Sequence, residues 1–84
     1  MEARDAQAII RALVDIETER TGRPQLYDFV YEITEAPDAM VRGRVVDSQG
    51  SVLVIGEMID DGTRNREIAW DSIEHIAITT DDFL

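Results

Sequence analysis

Four arginines have the spacing best suited to a binding chemistry in this chain: Arg42 with Arg44, and Arg64 with Arg66. Residues two apart on an extended strand project from the same face, so each pair sets two guanidinium groups side by side. That arrangement suits an anion, because a guanidinium donates paired N–H bonds to a carboxylate or a phosphate. If the strands carrying them flank a common neighbour, all four gather near Glu57 as a local anion or RNA-phosphate site. The competing reading is cross-strand pairing with Glu57, Glu67 and other acids, in which each exposed pair contributes little. The acid excess of the chain favours this second reading. Trp70 is another candidate partner contact, since lone tryptophans often anchor interfaces. Its parity with Ile68 instead points it at a core.

The other reactive residue types lack the company that chemistry requires. His75, beside Glu74, has the type of a pH-sensitive group or general base. No Ser or Cys nucleophile accompanies it, and an exposed, inert histidine is the expectation. Asp60-Asp61 and Asp81-Asp82 offer oxygens to a hard cation, but such an ion needs converging ligands. Neighbours along a strand or tail point apart, so ordinary turn and tail chemistry is expected. No glycine-rich phosphate loop, catalytic triad or paired-carboxylate motif is present. The sequence therefore predicts no catalytic, cofactor-binding or metal-binding residues, and a protein that is not an enzyme.

The elements that position these residues follow from periodicity. Residues 4–21 read as an amphipathic helix, with Ala6, Ile9, Ile10, Leu13 and Ile16 at helical spacing and Val14 at the stripe's edge. Glu2 and Asp5 near its start, and Arg20 and Arg23 near its end, complement the macrodipole. Gly22 followed by Pro24 ends it. Gln25–Glu35 fits two patterns. Tyr27, Phe29, Tyr31 and Ile33 alternate as a strand does, while Leu26, Phe29, Val30 and Ile33 also fit about three helical turns; the strand is preferred.

Met40–Met58 reads as a hairpin around Asp47-Ser48-Gln49-Gly50, with Gly50 suited to a positive φ. Gly43 marks a bend or a close backbone approach in its first strand. Val52, Val54 and Met58 alternate with Leu53 and Ile55, so the second strand is apolar on both faces and expects two covers. A barrel interior supplies one and the N-terminal helix the other. Asp60-Asp61-Gly62 turns the chain into a further strand, Arg64–Trp70. Asp71-Ser72 interrupts the alternation as turning residues do, and Ile76 and Ile78 resume it. Residues 80–84 form a tail.

Composition bounds the partners. Eighteen acidic residues face eight basic ones, giving a net charge of −10, and every basic residue is arginine. This opposes long-range attraction to nucleic acid or an anionic membrane. Arginine without lysine on an acidic chain fits either GC-rich coding or a salt-in halophile, in which molar salt screens charge within about 3 Å. With 84 residues, 44% of them apolar, the chain has material for one domain, 1–84, and no room for a second core. No apolar run approaches the roughly 20 residues of a membrane span, and the N-terminus has the wrong charge order for a signal peptide. Cysteine is absent, which excludes disulfides and thiolate chemistry. A cytoplasmic protein is expected.

A helix followed by five short strands, the last two joined by a one-turn corner, resembles the Sm-like and SH3-like small β-barrels. The segment VRGRVVDSQGSVLVIG resembles the first Sm signature, with Gly43 as its strand glycine and Asp47 as its acidic loop residue. IAWDSIEHI resembles the second, but Ala69-Trp70-Asp71 stands where that family usually carries an Arg-Gly pair. The resemblance implies a mainly β fold: an N-terminal α-helix, then a five-stranded antiparallel small barrel over residues 26–79. It also implies an RNA-binding alternative using the Asp47–Gly50 loop, Arg42, Arg44 and Arg64. The missing arginine, which helps hold a nucleobase in Sm rings, and the net charge both oppose it.

A winged helix is the rival fold, with residues 9–20, 26–33 and 39–46 as helices and 51–70 as the wing of a DNA-binding regulator. Its recognition helix would contain Gly43, at about 1 kcal/mol for that residue alone. The functional expectation is a non-enzymatic interaction module, acting through protein–protein contacts or self-association at open barrel edges. Val30–Ile33 and Ile76–Thr79 are the candidate edges.

Overall fold

The computed structural model describes residues 1–22 and 29–80. The elements are α1 (Ala3–Thr21), β1 (Phe29–Glu35), β2 (Ala39–Asp47), β3 (Val52–Ile59), β4 (Gly62–Ala69), a 3-10 corner (Trp70–Ser72) and β5 (Ile73–Thr80). The strands form one antiparallel sheet in the order β4-β3-β2-β1-β5. The chain is mainly β with one helix. β4 and β5 follow one another in sequence yet stand at opposite ends of the sheet, unpaired with each other, so the sheet is open.

Two expectations about topology change. β1 and β2 occupy the stretches that a winged helix needs as its second and third helices, so that rival arrangement is not the fold. Alternating aromatic and β-branched residues across Phe29–Ile33 prevail over the helical pattern there. β1 also lies between β2 and β5, so Val30–Ile33 is an interior segment. The corner carries the chain back to the free side of β1, which makes β5, with Ile76–Thr79, the outer strand. Leu26 and Tyr27 of the Gln25–Glu35 stretch, and residues 81–84 of the tail, lie outside the described residues.

The core shows how the helix is used. Phe29, Tyr31, Ile33, Val41, Val45, Leu53, Ile55 and Ile68 share the inner face of the sheet and cluster with Trp70, Ile73 and the helical Ala6 and Ile10. α1 therefore packs on this same face, against the corner and β5, and does not cover the other side of β3. Val52, Val54 and Met58 on that other side are only half-buried.

The helix is also rotated from its predicted stripe. Ala6, Ile10 and Glu17 are buried, whereas Ile9 and Ile16 are exposed. Two polar anchors that point away from Ile9 and Ile16 set this rotation. Glu17 accepts the Phe29 backbone N–H at 2.7 Å, and Arg11 Nε donates to the Ser48 carbonyl at 2.7 Å. Gly22 ends the helix as predicted, at φ 71°, with its N–H on the Thr18 carbonyl at 2.8 Å.

The sheet curls strongly. Arg66 on β4 meets Glu35 at the end of β1 at 2.9 Å, although a flat sheet would hold strands three places apart about 14 Å from each other. Gly43 is the expected close approach: a Cβ there would collide with the Gly56 carbonyl oxygen across the β2–β3 pair. Gly62 turns the β3–β4 hairpin at φ 131°. Gly50 does not take the positive φ predicted for it. Instead the Asp47 carboxylate accepts the Gln49 N–H at 2.9 Å, an Asx turn that shapes the loop without a left-handed residue. No helix among the described residues is long and apolar enough to cross a membrane.

Candidate interaction surface

Strand register decides what the four arginines do. Gly43 lies opposite Glu57, and Glu57 opposite Arg64, so Arg64 and Arg66 share the inner face with Glu57. Arg42 and Arg44, one step from Gly43 on either side, share the outer face. Each pair keeps to one face as its spacing predicts, but the two pairs do not gather on a single surface.

The inner pair forms an ion-pair chain. Arg64 Nη2 meets Glu57 Oε1 at 2.9 Å; Arg66 meets Glu35 Oε1 at 2.9 Å and Glu57 Oε2 at 3.8 Å. The acids are the better buried partners, with side chains 13% exposed at Glu57 and 19% at Glu35, against 36% at Arg66. Ser72 Oγ donates to the Ala69 carbonyl at 2.7 Å and lies 3.4 Å from Glu35 Oε2, and the Ala36 N–H donates to the Ser72 carbonyl at 2.7 Å. Two arginines and two glutamates thus tie β4, β3 and the end of β1 together. With carboxylates already in place on these guanidinium groups, the arrangement is a brace across the curl. On the outer face Arg42 Nε lies 3.7 Å from Glu32 Oε1, both exposed enough for screening by solvent. Arg44 Nη1 donates to the Phe29 carbonyl at 3.1 Å.

Trp70 is buried, as its parity with Ile68 predicts. Its indole N–H donates to the Gly50 carbonyl at 3.1 Å, and the Arg11 guanidinium lies 5.7 Å from the ring, within cation–π range. One side chain therefore joins the helix, the β2–β3 loop and the corner. Asp47, Asp60, Asp61 and His75 are exposed. Among the described residues no cluster of His, Asp or Glu side chains is placed to hold a metal ion.

Two buried polar groups besides Ser48 escape the sequence pattern. Glu17 is one, although its position three residues after Val14 and seven after Ile10 puts it on the buried arc of α1. Tyr31 is the other. Its ring meets Phe29 edge-on at 6.2 Å, and its hydroxyl is buried without a hydrogen-bond partner among the described residues. Burial, and then the nearby Glu17 charge, push the Tyr31 ionisation well above the usual tyrosine range.

The two outer strands present unlike surfaces. Thr63, Arg64, Asn65 and Glu67 of β4 are exposed, and only Ile68 is buried. In β5 a register shift beside Thr34/Glu35 leaves Glu74 unmatched, after which His75–Thr80 pairs regularly with β1. Ile76, Ala77 and Ile78 are half-buried there, and Thr79 and Thr80 exposed. Compared with family models, curated proteins and solved structures, the chain matches none.

Proposed function

We propose that the protein is a non-enzymatic interaction module on a Sm/SH3-like small β-barrel scaffold, and that a protein partner adds a strand to the outer edge of β5 at Ile76–Thr79. The observation that supports this reading most directly is the contrast between the outer strands. β4 carries Arg64, Arg66 and Glu67 among the polar Thr63 and Asn65, the charged composition that discourages edge pairing. From Ile76 to Thr79, β5 has no charge, no proline and no bulge, so its outward side suits β-augmentation. RNA binding has less support, because Arg42, Arg64 and Arg66 each lie within 4.0 Å of a carboxylate.

Affinity capture from the native host, with the wild type beside an Ala77→Lys/Thr79→Lys variant, tests the reading. The expected result is a partner retained by the wild type and lost by the variant, with β5 amides protected from exchange in the complex. Equal capture by both proteins would overturn the edge as the site, and no specific capture by the wild type would overturn the module.

A further inference from the structure

We propose that the strand taken up by β5 is basic: an extended segment of a protein partner with alternating β-branched apolar residues, and with Lys or Arg at the end that lies beside the corner. This rests on the β5 edge proposed above and names the chemistry of what docks there.

Register sets the apolar half of that chemistry. Ile76 stands opposite Ile33, and Ile78 opposite Tyr31. Both therefore lie on the inner face, where they pack half-buried against the core. Side chains of an added strand point alternately to the two faces. Those on the inner face lie beside Ile76 and Ile78 and extend the core over them, which favours β-branched apolar residues. Those on the outer face lie beside exposed His75 and Thr79 and the small Ala77, where polar residues are accepted.

Charge sets the other half. The regular edge begins at His75, directly after the register shift that leaves Glu74 without a mate on β1. Glu74 and, on the corner, Asp71 are exposed. Among the described residues no cation meets either carboxylate. Arg42, Arg64 and Arg66 are held by Glu32, Glu57 and Glu35, Arg4 by Glu2, and Arg11 by the Ser48 carbonyl. A neutral run that starts beside two uncompensated acids is complementary to a strand that brings the cation itself. A second copy does not bring one to this edge: it carries the same acids there and a net charge of −10.

Fluorescence anisotropy on the full chain tests the inference, with labelled peptides that alternate valine and threonine and end on both sides in lysine, glutamine or glutamate. The lysine peptide is expected to bind roughly ten-fold or more tighter than the glutamate peptide, with glutamine between them. Asp71→Lys/Glu74→Lys removes this preference. Asp60→Lys/Asp61→Lys makes the same change of net charge on the β3–β4 turn and keeps most of it. Hydrogen exchange of the lysine-peptide complex is expected to show new protection within Ile76–Thr79.

The charge preference and the edge fail separately. New protection in β5 with lysine and glutamate peptides bound alike overturns the basic partner and leaves the edge. A lysine preference without protection in β5 overturns the edge, and the inference with it. Equal loss of preference in the two double variants reduces it to net charge and overturns the inference. So does the failure of all three peptides to bind, which partner capture through β5 would survive.

Discussion

β4 and β5 hold the same place among the described residues, the two ends of the sheet, and are separated in sequence by only three residues. They fill that place in opposite ways. β4 is polar along its length, and its arginines are drawn inward across the curl to Glu35 and Glu57. β5 is short of charge from Ile76 onward and is held through β1 on one side and α1 beneath. Charge in β4 serves two ends together: it bends the sheet, and it makes the strand a poor template for another chain. The corner between them carries the change, because the Ser72 hydroxyl closes it onto the Ala69 carbonyl and the Ser72 carbonyl accepts the Ala36 N–H at the point where one solution gives way to the other.

Several substitutions break or sharpen this contrast. Gly43→Val strikes at the curl itself. Its side chain would collide with the Gly56 carbonyl, and a loss of about 3 kcal/mol or more is expected in urea unfolding. A tolerated valine would mean that β4 is not brought to β1 by this close approach. Arg66→Met comes next, because it leaves the better buried Glu35 and Glu57 without their shared partner. The partial exposure of Arg66 limits the loss to about 1–2 kcal/mol.

Tyr31→Phe tests the β1 strand that holds β5 and has the opposite sign. Removing a buried hydroxyl that has no partner among the described residues is expected to stabilise the protein by about 1 kcal/mol. Its pH dependence is equally specific. An unfolded tyrosine ionises near about pH 10, while burial keeps folded Tyr31 protonated beyond that. The unfolded state alone releases this proton there, so the contribution is constant below about pH 10 and falls as pH rises further. Thermal unfolding at neutral and alkaline pH is expected to show a smaller alkaline loss in Tyr31→Phe than in wild type. The smallest effect belongs to Arg42→Met, whose exposed pair with Glu32 is worth no more than about 0.5 kcal/mol. A loss comparable to that of Arg66→Met would erase the distinction between brace and surface pair.

The features legible in the sequence were the local ones. The period-two runs, the turn at Asp60-Asp61-Gly62, the left-handed cap at Gly22, the close approach at Gly43 and the interruption at Asp71-Ser72 each rest on a few adjacent residues. The features that escaped depend on register between strands. Arg42 and Arg64 show their parity within their own strands, but whether they share a face is decided by Glu57 on the strand between them. Which strand lies outermost is likewise decided by the corner's direction, which sent β5 to β1 and made Val30–Ile33 interior. On α1, hydrophobicity gave a stripe broader than the surface available to bury it. The bonds from Glu17 to Phe29 and from Arg11 to Ser48 chose which part of the stripe to cover, and neither partner is near in sequence.

Trp70 has a consequence of a different kind. It is the chain's one tryptophan, and its indole touches the helix through Arg11, the β2–β3 loop through Gly50 and the corner through its own backbone. Tryptophan fluorescence, excited selectively over the two tyrosines, therefore comes from the single point where these three parts meet. Undocking α1 would expose the indole to water and shift its emission to the red, while binding at the far edge of the sheet would leave the spectrum still. The molecule thus carries its own optical gauge, able to separate a partner that opens the fold from one that merely lengthens the sheet.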